Sequence, residues 1–441
     1  MQRKVFFIIT LVCCFLIQAN HADARRIKKR KIKKLFKHSA ILNDHFTGFA
    51  LYDLDEKKMI YEQNADKYFI PASNTKLFTF YTCLKMLGDS IPALKYVIHN
   101  DSLIFWGTGD PSFLHDDLRG VKGFNFLKNS GKKLFFASGS YTSDFYGGGW
   151  AWDNYSAYYQ AEINELPIEG NVAVIYADKN DSLQASPPYL KKYFKCDSTY
   201  LPDHFRVRRD FLSNTFIYPS TAPPKTFRQD IPWKTSTALT LALLQDTLKE
   251  PVNEIHLPLP DDAKTIYDEV ADTVYKHMLQ PSDNFIAEQL LLVCSSAKFK
   301  TLNTDSVINY SKSHFLNDLP DTPQWVDGSG LSRQNLFTPR SIITLLAKIL
   351  DEVKNDDLIH SLMPAGGVIG TIKTAYKTDN GQPFVWAKTG SLNNNYNQSG
   401  YLITRKGKRL AFSFMNNNFT KPSRQLRDEM VSIITYIHDN W

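Results

Sequence analysis

The chain has 441 residues, of which 43% are hydrophobic and 22% charged, with 21 Gly and 21 Pro. This composition excludes fibrous, collagen-like and largely disordered proteins, and the length predicts two or three domains. The formal net charge is +7, but nine Lys or Arg and no acidic residue fall within residues 25–37. Residues 38–441 carry a net charge of about −3, so the basic character belongs to one short tail.

The first 24 residues have the three parts of a secretory signal peptide. Arg3 and Lys4 precede an uncharged run from Val5 to Ile17, and the small-x-small sequence Ala22-Asp23-Ala24 follows. The run has 13 residues, whereas a membrane-spanning helix needs about 20. We therefore expect residues 1–24 to be a signal peptide and the protein to be exported to the periplasm. Export also argues against nucleic acid as a partner.

Residues 25–37 form the basic tail, and the sequence leaves two interpretations of it open. Ile32, Leu35 and Phe36 stand at i, i+3 and i+4, so a helix here would carry a narrow apolar stripe among cations. Such a helix suits an anionic membrane surface. The second interpretation is a disordered, solvated linker.

Three cysteines remain outside the signal peptide, namely Cys83, Cys196 and Cys294. An odd number this small permits at most one disulfide within the chain. A disulfide-dense scaffold is therefore excluded.

The first predicted elements after the tail are two strands and a helix. Residues 46–62 alternate apolar and polar side chains and are predicted to form both strands. Pro71 marks the start of a helix that extends to about Leu87. Residues 93–262 then change to short strands, aromatic residues and turns. Within them we predict one clear helix, from Ser236 to about Leu248.

Helical patterns return after this β-rich segment, and the chain ends in strands. The predicted helices are 265–279, 283–295, 304–316 and 339–353. The predicted terminal elements are strands at 383–389, 396–404 and 409–416 and a helix at 422–438. Because strands stand near both ends, we expect one sheet built from residues 38–92 and 263–441, with residues 93–262 inserted between them.

Ser73 and Lys76 form an S-x-x-K motif at the predicted helix start. Residues at i and i+3 share one helix face, so the amine could take a proton from the serine hydroxyl. Alone this signal is weak, because Ser130 with Lys133 and Ser295 with Lys298 show the same spacing.

Two further motifs follow in a defined order. Ser282-Asp283-Asn284 precedes an apolar helical run, and Lys388-Thr389-Gly390 closes a predicted strand, with Ser391 next. The succession S-x-x-K, S-D-N and K-T-G, on a helix start, a loop between helices and a strand, is typical of active-site serine penicillin-recognising enzymes.

With these motifs, residues 44–441 resemble the D-alanyl-D-alanine carboxypeptidase/endopeptidase family, the class C low-molecular-mass penicillin-binding proteins. The segment Asp327-Gly328-Ser329-Gly330-Leu331-Ser332-Arg333 is characteristic of that family. So are the 209 residues between Ser73 and Ser282, where the family places inserted domains. The resemblance implies an α/β (α+β) fold of the penicillin-recognising serine transpeptidase and β-lactamase-like type. An antiparallel sheet flanked by helices would form a catalytic domain split by the β-rich insert.

The resemblance also implies a role for each motif residue. Ser73 would be the nucleophile and Lys76 its general base. Ser282 would relay a proton to the leaving D-alanine, and Lys388 would supply positive potential. The backbone N–H groups of Ser73 and Ser391 would form the oxyanion hole.

The remaining motif residues are expected to bind substrate. Asn284 would hold the peptide group and Thr389 the terminal carboxylate. Gly390 would leave room for the substrate to lie along the strand as an added β-partner. The flanking Trp150 and Trp152 are predicted to be packing residues of the insert.

The implied function is cleavage of D-Ala-D-Ala in peptidoglycan stem peptides through an acyl-enzyme, with β-lactams as inhibitors and no metal or organic cofactor. The 11 His are scattered and no H-E-x-x-H occurs, which argues against a zinc peptidase. Endopeptidase action on cross-links stays open. Two other functions also stay open, namely a sensor domain that penicillin acylates without turnover and a β-lactamase-like hydrolase.

Overall fold

The computed structural model describes residues 29–118, 120–376 and 380–441. One five-stranded antiparallel sheet consists of β1 (Phe46–Asp53), β2 (Lys58–Gln63), β14 (Val385–Leu392), β15 (Asn395–Ile403) and β16 (Arg409–Asn417). Its strand order is β14-β15-β16-β1-β2. β1 pairs with β16 from Phe46 opposite Asn417 to Asp53 opposite Leu410. The expected sheet from both termini is confirmed.

Helices pack on both faces of this sheet. They are α1 (residues 29–38), α2 (Lys76–Met86), α5 (Ala271–Leu279), α6 (Asn284–Lys298), α7 (Thr304–His314), α8 (Pro339–Val353), α9 (Asp356–Leu362) and α10 (Ser423–Asn440). The central helix α6 is buried continuously from Phe285 to Ser296, which matches its apolar sequence. One core lies among α2, α6, α8 and the sheet, and the expected antiparallel sheet flanked by helices is confirmed.

Residues between these two parts form a separate β-rich body with its own core. Its larger sheet has the order β12-β5-β4-β3-β13, and two smaller sheets have the orders β8-β10-β9 and β11-β6-β7. The strands are β3 (Ser90–His99), β4 (Ser102–Gly107), β5 (Lys133–Ala137), β6 (Val172–Ala177), β7 (Leu183–Ser186), β8 (Phe194–Asp197), β9 (Arg208–Arg209), β10 (Phe216–Pro219), β11 (Arg228–Pro232), β12 (Val252–Ile255) and β13 (Lys264–Val270). The helices are α3 (Lys122–Lys128) and α4 (Thr237–Leu248).

The predicted helix over 265–279 is wrong in its first half. Residues Lys264–Val270 form strand β13, and only Ala271–Leu279 is helical. β13 pairs with β3, with Ile266 opposite Leu94, so this pairing outweighs the local helical pattern. The larger sheet of the insert therefore extends from Ser90 to Val270, beyond the expected limits of 93 and 262.

In its described part, from residue 29 onward, the basic tail is not a disordered linker, and its apolar stripe is not exposed for contact with a membrane. Residues 29–38 are helical, and Ile32 and Phe36 are buried at 0% and 1% exposure. The Phe36 ring lies 5.0 Å from that of Phe49 and 5.4 Å from that of Phe414, centroid to centroid. The apolar stripe is thus part of the core beneath the sheet. Residues 25–28 and the predicted signal peptide 1–24 lie outside the described residues.

The three cysteines of the described region are free thiols. Cys83 and Cys294 are buried, with their sulfurs 3.7 Å apart, and Cys196 is exposed.

Among the helices in residues 29–118, 120–376 and 380–441, none combines the length and apolar character that crossing a bilayer requires.

Candidate active site

A cleft of about 810 Å³ lies between the edge strand β14 and the insert. The sequence-predicted residues that line it are Ser73, Ser282, Asn284, Thr389 and Ser391. Lys76 and Lys388 are fully buried directly behind this surface. The fold therefore brings the three motifs, which are far apart in sequence, to a single site.

Ser73 lies on a single 3-10 turn, Ala72–Thr75, that leads directly into α2. Ala72 has φ of +47°, a strained value for a non-glycine residue. The side chain of Asn417 accepts a hydrogen bond from the Ile70 N–H at 2.7 Å, and Asn397 donates to the Pro71 carbonyl at 2.9 Å. These contacts fix the approach to the turn, so the sheet holds the serine in place.

The Lys76 amine lies at the centre of the site and is completely buried. Its Nζ donates to Ser73 Oγ at 3.0 Å, to Asn284 Oδ1 at 2.7 Å and to the Ser329 carbonyl at 2.7 Å. Burial lowers the pKa of Lys76 to about 8, although nearby carboxylates oppose this effect. With this pKa about a tenth of the amine is neutral at pH 7, far more than for an ordinary lysine, and this fraction can accept the Ser73 proton.

The S-D-N segment is a tight connection between α5 and α6. Ser282 has φ of +69°, and Asp283 caps α6 by accepting the Ile286 N–H at 2.8 Å. Asn284 is consequently the first residue of α6. Its amide oxygen accepts from Lys76, while its Nδ2 donates to the Tyr159 carbonyl of the insert at 2.9 Å. Asn284 thus links the Lys76 amine to the far wall of the cleft.

Lys388 approaches the same centre from β14. Its Nζ donates to Ser282 Oγ at 2.7 Å and to the Thr389 carbonyl at 2.9 Å. Burial, and then the charge of Lys76, lower the pKa of Lys388 well below its usual range. The two buried amines compete for protons, so the site does not favour two full positive charges at once.

Thr389 and Gly390 complete the strand motif. The Thr389 hydroxyl faces the cleft and lies 2.7 Å from the Thr371 hydroxyl. A Cβ on Gly390 would lie 2.3 Å from the Pro71 carbonyl oxygen. The close approach of the serine turn therefore already requires a glycine at this position, and room for substrate along the strand stays a prediction.

The loop Asp327–Arg333 lies beneath Lys76. The Ser329 carbonyl accepts from Lys76, and Asp327 accepts the N–H groups of Gly330 and Ser332 at 2.8 and 2.6 Å. A Cβ on Gly330, whose φ is +86°, would lie 1.9 Å from the Ala72 carbonyl oxygen. The glycine therefore allows the loop to touch the serine turn.

Glu288 is a residue of the site that the motif analysis missed. It is buried, and its carboxylate accepts the N–H groups of Gly328 and Ser329 at 2.9 and 2.7 Å. It thereby holds the Ser329 carbonyl toward Lys76. Burial and the neighbouring charge of Asp327 raise the pKa of Glu288 to about 8. A signal was available, since Glu288 stands four residues after Asn284 and hence on the same helix face.

Of the two tryptophans singled out in the sequence, Trp150 and Trp152, only Trp150 behaves as a packing residue. Its Nε1 donates to the Asp327 carboxylate at 2.9 Å. Trp152 is 73% exposed instead. Within the part of the chain that the structure describes, no group of three or more His, Cys, Asp or Glu is placed to hold a metal ion.

The profile of the D-Ala-D-Ala carboxypeptidase 3 (S13) family matches residues 29–199 and 269–436. The chain belongs to this family. It is accordingly a serine-type D-Ala-D-Ala carboxypeptidase, a hydrolase, and the resemblance inferred from the motifs is confirmed. The chain is similar to the D-alanyl-D-alanine carboxypeptidase DacB of Haemophilus influenzae, with 23% identity over 449 residues covering 88% of this chain and 89% of the relative.

Comparison with solved structures supports the predicted fold. The crystal structure of penicillin binding protein 4 (dacB) from Haemophilus influenzae matches with a TM-score of 0.69 and 21% identity, covering 92% of this chain and 99% of that one. The same protein in complex with a β-lactam matches with a TM-score of 0.64 and 20% identity, covering 92% of this chain and 98% of that one. The S13 enzyme described here therefore has the predicted penicillin-recognising fold.

The first prediction concerns pH. Only neutral Lys76 can accept the serine proton, so the second-order rate of acylation by penicillin should rise about tenfold per pH unit below a pKa of about 8 and level off above it. The rate should be measured from pH 6 to pH 10. Lys76→Arg, which keeps the charge but cannot lose it, should show no acylation at any of these pH values. A flat profile for the unaltered enzyme would contradict Lys76 as the base.

The second prediction concerns Glu288→Gln. The amide can accept only one of the two backbone N–H groups, so the Ser329 carbonyl should be held less firmly and kcat/KM should fall about 10- to 100-fold. Because the pKa of Glu288 is itself about 8, its charge raises the pKa of Lys76 mainly at and above about pH 8. The variant should therefore change the pH profile around pH 8 and leave the profile near pH 6 unmoved. Exposed Glu352→Gln is the matched control. A loss of activity with a pH profile that is unmoved around pH 8 would leave Glu288 a merely structural role.

Proposed function

We propose that Ser73 is the nucleophile of this S13 enzyme and that Lys76 is its general base. The observation that carries the proposal is the 3.0 Å contact between Lys76 Nζ and Ser73 Oγ, made by a buried amine whose pKa is lowered to about 8. Ser73 Oγ attacks the carbonyl of the penultimate D-alanine while Lys76 takes its proton. The backbone N–H groups of Ser73 and Ser391 stabilise the resulting oxyanion.

Collapse of the tetrahedral intermediate breaks the peptide bond and leaves an acyl-enzyme on Ser73. The departing D-alanine amine needs a proton, and we assign Ser282 as the group that delivers it. Its hydroxyl accepts a hydrogen bond from Lys388 Nζ at 2.7 Å, which supports a relay from the buried amines. Water then attacks the acyl-enzyme with Lys76 again as the base, which regenerates the serine.

The substrate's terminal carboxylate is assigned to Thr389 and Lys388. A carboxylate beside Lys388 would favour the protonated form of that amine, and a protonated Lys388 would disfavour a second proton on Lys76. Substrate binding would thus help to prepare the base. Asn284 would hold the substrate's peptide group. The outer edge of β14 beyond Ala387, where its backbone no longer bonds to residues 364–366, would accept the stem peptide as an added strand.

The same chemistry extends to the bond between D-alanine and a diamino acid in a cross-link, and endopeptidase action is the second activity that we propose. The open cleft of about 810 Å³ favours it, because a cross-linked substrate continues beyond the scissile bond on both sides. β-Lactams are expected to acylate Ser73 as carbonyl mimics of D-Ala-D-Ala.

The third prediction tests the nucleophile. Ser73→Ala should lower D-alanine release from a pentapeptide muropeptide by at least about four orders of magnitude and abolish the penicillin adduct. Ser130→Ala is the matched control, because Ser130 and Lys133 repeat the S-x-x-K spacing outside the cleft. An active Ser73→Ala enzyme would overturn the assignment. If the unaltered protein forms a penicillin adduct but cleaves neither monomeric muropeptides nor cross-linked dimers, it would instead be the penicillin-acylated sensor.

We also propose that the protein is exported to the periplasm, on the signal-like pattern of residues 1–24, and that α1 contacts anionic membrane surfaces through charge alone. Its apolar stripe is buried, whereas Arg30, Lys33, Lys34 and Lys37 are exposed. Each such cation contributes about 1 kcal/mol near an anionic bilayer at low salt.

The fourth prediction follows from that charge. The protein should co-sediment with anionic vesicles at low ionic strength and be released at about 1 M salt. The double variant Lys33→Glu with Lys34→Glu should bind less, while Lys195→Glu with Lys225→Glu, on the insert, should bind as before. Equal partitioning of all three proteins would count against membrane contact.

A further inference from the structure

Three exposed apolar side chains form a patch beside the cleft, and we call it the aromatic patch. It consists of Trp152, Phe211 and Leu212, which are 73%, 48% and 78% exposed. The rings of Trp152 and Phe211 meet edge to face, with centroids 6.0 Å apart and planes at 84°. Large apolar residues grouped in this way on a surface usually mark a binding site.

The patch is continuous with the active-site cleft. Trp152 opens a short 3-10 turn, and its neighbours Ala151, Asp153 and Asn154 all line the cleft. Gln160, a buried residue of the same cleft, donates to the Ala151 carbonyl at 2.9 Å. A ligand that extends out of the cleft past Ala151, Asp153 and Asn154 therefore reaches the Trp152 ring next.

A buried arginine holds the patch rigid. Arg209 is 1% exposed, and its guanidinium donates to the backbone carbonyls of Tyr155, Pro232, Asp210 and Ser213 at 2.8 to 3.3 Å. It thus ties the turn that carries Trp152 to the loop that carries Phe211. Ordering an exposed apolar loop costs conformational entropy, and a surface ordered in advance binds with a smaller loss on association.

The loop tip is fixed by two further contacts. The Asp210 carboxylate accepts the N–H groups of Leu212 and Ser213 at 2.9 and 3.0 Å. The Tyr155 ring packs against Phe211 with centroids 4.9 Å apart. Phe211 and Leu212 are therefore presented to solvent in one defined arrangement.

We propose that the aromatic patch binds sugar rings of the glycan strand to which the stem peptide is attached. The proposal rests on the proposed function, in which the D-alanine end of the peptide lies at Ser73. A sugar ring has an apolar C–H face that stacks on an exposed indole, and hydroxyl and acetamido groups at its edge. Asp153 and Asn154 supply a carboxylate and an amide beside the ring for those groups.

The size of the patch favours a sugar over a protein partner. A stable protein interface buries about 1,200–2,000 Å² in total, which three side chains do not provide. One or two sugar rings match an area of this size, and their covalent link to the bound peptide keeps them near the patch.

The test compares two substrates that differ only in the sugar. D-Alanine release should be measured for a disaccharide pentapeptide and for the free pentapeptide with the unaltered enzyme, Trp152→Ala and Phe211→Ala. Trp152→Ala should lower kcat/KM about five- to tenfold on the disaccharide substrate and less than about twofold on the free peptide. Tyr267→Ala, which removes an exposed aromatic ring outside the cleft, is the control and should change neither.

A second measurement separates this proposal from the proposed function. Calorimetric titration of Ser73→Ala with a peptide-free glycan fragment should give binding that Trp152→Ala abolishes. Failure to cleave either of these substrates and cross-linked dimers would refute the proposed function, while this titration would still test the patch. Equal losses on both substrates, no loss on either, or a dimer that depends on Trp152 would overturn the glycan assignment.

Discussion

The site depends on the burial of one amine. Lys76 Nζ has no exposure to water and is satisfied by three oxygens, from Ser73, Asn284 and Ser329. Each belongs to a different segment, so the serine turn, the start of α6 and the Asp327–Arg333 loop must converge for the lysine to be buried at all. The same burial lowers the pKa of the amine to about 8, as the general base that we propose requires. Structure and reactivity thus have one cause.

Burying a second amine and two carboxylates around that centre requires dense hydrogen bonding. Lys388 is satisfied by Ser282 and its own strand, and Glu288 and Asp327 accept backbone N–H groups of the loop. A buried charge without such partners would be strongly destabilising. The carboxylates therefore shape the loop and set the electrostatic surroundings of the lysines, without facing the cleft themselves.

The insert contributes directly to the site. Its Tyr159 carbonyl accepts from Asn284, and its Trp150 donates to Asp327. The wall that bears these residues continues into the exposed Trp152 and the loop fixed by Arg209. In the proposed mechanism the reacting groups come from the part of the chain that forms the antiparallel sheet and its helices. The insert closes one side of the cleft and would add the surface across which a long substrate lies.

The sequence by itself determined the identity and order of the motifs, the helix that begins after Ser73 and the strands at both ends, because these depend on local pattern and residue chemistry. The tertiary structure decided the rest. The apolar stripe of Ile32 and Phe36 could contact either lipid or a protein core. It packs in the core because a face of the sheet lies next to it. β13 is a strand because β3 lies beside it. The roles of Glu288 and Gly390 arise from contacts with residues distant in sequence, which no local pattern records.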